Sequence, residues 1–239
     1  MPANAVELTR HTLIAFCKEF VARPYLCYTE HGLHALFFSR LYNAFPAENR
    51  YAECNGQQVC VVQKEYPTAH NLGKSRRQHW DISVIKAPVV PAKRPNAFDY
   101  LPLAAVVEFG LNCPSDHLED DIMRLCHPEA NVDHRFVVHL YRLSPIANKV
   151  SGRDWAPESN ILCSKDSVKL ALRDRPVEVF YGVVDSSGTT PPGIWLITGR
   201  GIEVVAKLVP TPAHKPRRTS QGSGAAGKEC FPHEAGGHR

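Results

Sequence analysis

Apolar residues recur at helical spacing from about Ala5 to Ala22, through Val6, Leu8, Leu13, Ile14, Phe16 and Phe20, before Pro24 closes the run. The pattern predicts a first helix. Thr29 is placed to cap a second, whose stripe of Leu33, Leu36, Phe37 and Leu41 ends before Pro46. The segments Val59 to Tyr66 and Trp80 to Ile85 then read as strands of a hairpin, joined by a long polar loop that carries Lys74, Arg76 and Arg77. Leu103 to Phe109 is an unbroken apolar run of strand length, the pattern of a strand buried on both faces in the middle of a sheet. A short helix with acids on one side, His117 to Cys126, precedes a strand from Phe136 to Leu143. Strand, helix, strand in that order implies a right-handed crossover onto the same sheet. A helix from about Lys165 to Arg173 and strand-like segments at Val177 to Val184, Gly193 to Thr198 and Ile202 to Val209 extend the sheet or pack beside it.

With 239 residues, 44% of them hydrophobic, the chain can bury one large core. Beyond Pro210 the residues are mostly Pro, Gly, Ser, His and basic, with almost nothing to bury. The expected parse is a single α/β domain over 1–210 and a disordered basic tail over 211–239. A formal charge of +4 neither demands nor excludes a nucleic-acid partner, so local clusters must carry that argument. No window approaches the ~18 apolar residues of a membrane span, and the first residues lack the layout of a signal peptide. Intracellular residence, cytoplasmic or nuclear, is the expectation. The 8 cysteines show no CxxC pair and no zinc-ligand spacing, and read as mostly buried free thiols.

Glu108, at the end of the apolar run in VVEFGLN, is costly to bury and asks for a chemical reason. Asp81 in HWDISVI and Glu30 in the first turn of the second helix are two further acids at the edge of apolar segments. If the hairpin strand and the central strand are antiparallel neighbours, Asp81 and Glu108 come together. Carboxylate oxygens completed by water and a substrate phosphate are how Mg²⁺ is usually held. Phosphodiester hydrolysis is the natural reaction for such a site.

This order of helix glutamate, hairpin aspartate and central-strand glutamate resembles the PD-(D/E)xK nuclease superfamily over roughly residues 29–142. The resemblance implies a restriction-endonuclease-like fold, a mixed central β-sheet flanked by helices. It casts Asp81 and Glu108 as metal ligands, Glu30 as support for the metal shell, Mg²⁺ or Mn²⁺ as the ion, and DNA as the partner. The family generally places a lysine two positions after the strand glutamate, and here that position is Gly110. Candidates to replace it are Lys86, His34 one turn after Glu30, Arg124 in the crossover helix, and Lys64 beside Glu65, while Asn112 offers only hydrogen bonds.

Lys74, Arg76 and Arg77 are candidate phosphate contacts, with plain solubility as the rival explanation. His31, His70 and His79 fit no zinc spacing, Glu65 reads as a solvated strand residue, and Glu119, Asp120 and Asp121 read as an exposed helix face. The KPRR run at 215–218 reads as solvated, with nucleic-acid binding as its sharper alternative. Two function classes follow: a metal-dependent DNA nuclease, and a catalytically silent relative that binds nucleic acid or a protein partner. A homodimer is compatible with either. An unrelated α/β protein with structural acids is the third reading, and three carboxylates lying beyond the reach of one hydrated metal would defeat the resemblance.

Overall fold

The computed structural model describes residues 5–54, 56–86, 101–142, 165–184 and 193–207. Helix α1 (Ala5–Ala22) and helix α2 (Glu30–Ala44) come first, then a two-stranded ribbon of β1 (Tyr51–Cys54) and β2 (Gln57–Cys60). The main sheet begins with β3 (Val62–Pro67), β4 (His79–Ile85) and β5 (Leu103–Leu111). Helix α3 (Ser115–Leu125), β6 (Val132–Tyr141), helix α4 (Lys165–Leu172), β7 (Val177–Val183), β8 (Gly193–Thr198) and β9 (Gly201–Lys207) complete the order. The protein is mixed α/β, a seven-stranded mixed sheet flanked by helices.

The strands lie in the sheet in chain order, β3 to β9. Pairing is antiparallel from β3 to β5, parallel from β5 to β7, and antiparallel again from β7 to β9. A parallel pair needs a crossover, and α3 sits within the one between β5 and β6. β5 is buried along all but its last residue, as expected of a strand covered on both faces. Successive side chains of β5 point to opposite faces. Phe109 meets Phe16 of α1 and Phe37 of α2, whereas Glu108 reaches α3.

Thr29 caps α2, its Oγ1 accepting the Gly32 N–H at 3.0 Å. The strand expected from Val59 to Tyr66 is broken at Val61. Its first part pairs with β1 in the separate ribbon, and Val61 turns the corner with its N–H on Arg50 O and its carbonyl on Ile85 N–H. The six cysteines within the described residues are free thiols, but only Cys17 and Cys54 are buried; Cys27, Cys60, Cys113 and Cys126 are half-buried, which corrects the expectation of burial. Among the described residues no helix is long and apolar enough to cross a membrane. Chain contacts separate Met1–Leu208 from Val209–Arg239, and the disorder expected of 211–239 concerns residues outside those described.

Candidate active site

The site forms where β4 and β5 part. Their last paired residues are Ile82 and Val107, so β5 runs on past its partner with amide groups that need acceptors. Asp81 Oδ2 accepts the Phe109 N–H at 2.7 Å, and Glu30 Oε2 accepts the Leu111 N–H at 2.8 Å. Glu108, the residue before Phe109, lies close enough to Asp81 for the two carboxyl groups to feel each other's charge. Three acids from three elements, α2, β4 and β5, thus converge on the last turn of sheet at Glu108 to Leu111.

Burial dominates the titration of Asp81 and Glu108. Glu108 is 1% exposed, and burial first, then the neighbouring Asp81 charge, push its carboxyl well above the ordinary range. Asp81 is pushed up to about 6 by burial, with the Asp121 and Glu30 charges adding and the Phe109 N–H opposing. The two carboxyl groups titrate as a pair, and burial with mutual repulsion disfavours the form in which both are charged.

The missing lysine has a structural counterpart. A Cβ on Gly110 would stand 2.5 Å from His139 Nε2, 2.7 Å from Cε1 and 2.9 Å from Cδ2. Gly110 is therefore the space that a fully buried imidazole from the adjacent strand needs, Gly110 and His139 being register partners in the parallel pair. The cation beside Glu108 is Arg124, whose Nη2 lies 3.2 Å from Glu108 Oε2 and 2.9 Å from Asp121 Oδ1, with the guanidinium 5.7 Å from the Trp80 ring centre. Burial works against its charge, but Glu108 and Asp121 outweigh it and hold Arg124 firmly protonated.

Asp121 is not part of an exposed acidic face. It is 2% exposed because it falls in the buried stripe of Leu118, Ile122 and Leu125, spaced three and four residues apart. His117 Nδ1 lies 3.3 Å and His139 Nε2 3.4 Å from its Oδ2. Burial alone would raise the Asp121 carboxyl, yet the neighbouring His117 ring and the His139 ring hydrogen-bonded to it hold it well below the usual range. The nearby Asp121 carboxylate, helped by Cys113, lifts His117 to about 11. Among the described residues, His117, Asp121 and His139 make one group of potential metal donors within 4.8 Å of one another.

A second such group lies on the other side of Asp81. His34 packs on the Phe109 ring, and its Nε2 is 3.6 Å from Asp81 Oδ2. Its Nδ1 is 3.9 Å from Glu65 Oε1, and His31 Nδ1 is 3.7 Å from the same oxygen. Burial, with Lys64 adding to it, depresses His34 to about 4, so the ring is neutral at pH 7. Glu65 is half-exposed but not merely solvated: it adopts φ 54° and drops out of the β3–β4 pairing between Lys64 and Tyr66, opposite Asp81. His31 joins this group, whereas His70 lies near Glu129 and His79 is exposed at the start of β4.

Other candidates lie elsewhere or are occupied. Lys86 is at the opposite end of β4, paired with Asp133 at 2.7 Å where β6 begins, so it does not replace the lysine. Lys74 is ion-paired with Asp120 of α3, Arg77 Nε donates to Thr68 O at 2.6 Å, and Arg76 is exposed. Asn112, at φ 54°, accepts the Arg142 N–H at 2.7 Å and serves the backbone. A cleft of about 600 Å³ lined by Arg135, Arg175 and Arg200 opens at the other end of the sheet and includes none of the candidate acids. The chain matches no protein-family model, no curated protein and no solved structure.

Proposed function

We propose that this chain is a restriction-endonuclease-like hydrolase of DNA phosphodiester bonds, dependent on Mg²⁺ or Mn²⁺, with Asp81, Glu108 and Glu30 forming its ion site. The observation that carries the reading is the meeting of these three acids where β4 and β5 part. The order of elements supports it: α2, three antiparallel strands, α3, and then β6 parallel to β5.

The donor set suits a hard cation. Glu108 Oε1 is buried without a hydrogen-bond partner, and a divalent ion would offset the repulsion between the neighbouring Asp81 and Glu108 carboxylates. When bound, the ion would supply Lewis-acid polarisation of a phosphate and offset its charge. The chain's own groups do the rest. Arg124 anchors Glu108 from behind, and the Phe109 and Leu111 amides fix Asp81 and Glu30. Neutral His34 faces the Asp81 carboxylate with Nε2, 3.6 Å from Oδ2, and can hold a proton there for it. Arg76, exposed on the β3–β4 loop, is the remaining basic residue there for a phosphate backbone.

The second reading, a silent relative that binds nucleic acid or a protein, is favoured by one observation: His139 fills the space at position 110. Cleavage of supercoiled and single-stranded DNA by the full chain, with Mg²⁺ or Mn²⁺, separates the two. Cleavage lost in both Asp81→Asn and Glu108→Gln supports the ion site, and cleavage unchanged in both removes it. Salt-sensitive DNA binding without cleavage by the unaltered chain favours the silent reading.

A further inference from the structure

We propose that His31, His34 and Glu65 form a separate cation site, suited to a zinc-class transition metal rather than to Mg²⁺. Two imidazoles and one carboxylate are the donors preferred by borderline divalent ions, whereas Mg²⁺ takes oxygen ligands almost exclusively. The two histidines lie three residues apart on α2 and face the same way, and Glu65 comes to them from β3. The left-handed backbone at Glu65 takes it out of the ladder and carries its carboxylate to the helix.

The distances are those of an ion site short of closure. In tetrahedral zinc, bonds of about 2.0–2.2 Å set donors roughly 3.3–3.6 Å apart. Here the two Nδ1 atoms stand 3.7 and 3.9 Å from Glu65 Oε1, and the three donor atoms lie within 4.8 Å of one another. His31 is 79% and Glu65 42% exposed, so both can adjust and the site opens to solvent.

An independent feature points to a ligand. The His34 side chain is 2% exposed, and both ring nitrogens are buried without a hydrogen-bond partner. A buried imidazole left in that state is costly. Metal at Nδ1 would satisfy that nitrogen and fix the proton on Nε2, which faces Asp81 Oδ2 at 3.6 Å and needs only a few tenths of an ångström of movement to donate to it. That is the carboxylate–histidine–metal arrangement that fixes a ligand's tautomer. Three protein donors leave a fourth position open to solvent. Lys64, whose Nζ is 3.0 Å from Glu65 Oε1, holds the carboxylate in the meantime and competes with the ion for it.

The test uses the full chain, stripped by a chelator, in the His117→Gln background that disables the other histidine–aspartate cluster. Zn²⁺ is titrated calorimetrically, and Co²⁺ is followed by its tetrahedral visible absorption, with no DNA present. Retained binding in that background, about tenfold or more weaker on adding His31→Ala or Glu65→Gln and tighter on adding Lys64→Gln, supports the site. Excess Mg²⁺ should leave it unchanged. Absence of binding in the His117→Gln background, or binding indifferent to both ligand substitutions, overturns the proposal. Because the readout needs no cleavage, failure here leaves the Asp81–Glu108 reading standing, and failure of that reading leaves this one.

Discussion

Gly110→Ala tests the fit between β5 and β6 with a single methyl group. The new carbon would be 2.5 Å from His139 Nε2, so the ring must retreat by roughly 1 Å to restore van der Waals contact. It has little room. His139 is 0% exposed, with Nε2 3.4 Å from Asp121, Nδ1 3.5 Å from Tyr141 Oη and the His117 ring tilted against it at 5.6 Å between centres. Overpacking of this kind costs about 1–3 kcal/mol, and for a domain of this size each kcal/mol lowers the melting temperature by about 2–4 °C. Urea denaturation at pH 7 should show that loss in Gly110→Ala. His139→Ala is destabilising by itself, but it removes the obstacle, so the double variant should be more stable than the sum of the singles by about 1 kcal/mol or more. A coupling energy within about 0.5 kcal/mol of zero would refute the claim that glycine stands there for the ring.

Arg124→Gln leaves Glu108 and Asp121 facing each other without their buried cation, and should cost about 3–5 kcal/mol in denaturant titration; a loss under about 1 kcal/mol would mean the ion pairs contribute nothing. Asp81→Asn keeps an acceptor for the Phe109 N–H while removing the charge. The folded-state pKa of about 6 lies above the ordinary 3.8, so Asp81 contributes most below about pH 4 and loses that contribution as pH rises through about 6. The variant should therefore be about 1–3 kcal/mol more stable than the unaltered chain at pH 8, and nearly equal to it at pH 4. An equal difference at both pH values would count against a raised Asp81.

The helices and the central strand were legible because periodicity alone defines them. The expected bounds of α1 are those observed, and the apolar run at Leu103 correctly marks a strand covered on both faces. The break at Val61 was not legible, since no glycine or proline marks a corner that is made by backbone bonds to Arg50 and Ile85. The meeting of Asp81 and Glu108 followed from strand order, but their raised titration depends on burial, which only packing sets. Asp121 was misjudged by the company of Glu119 and Asp120, although its spacing from Leu118 and Leu125 carried the contrary signal. His139 was hidden in an apolar strand whose neighbours gave no hint of a polar partner. Gly110 read as a lost lysine because its reason lies on another strand.

Each strand of the large sheet lies beside the one that precedes it in the chain, so a ribosome releases the strands in the order in which they pair. Helix α1 reaches far ahead in that sequence. Its Phe16 can meet Phe37 and Phe109 once β5 has emerged, but Arg10 must wait for Glu178 at the start of β7, to which its Nε donates at 2.9 Å. The first helix to be synthesised is thus secured in two stages, and the ion pair near its beginning is one of the last long-range bonds that a growing chain can make.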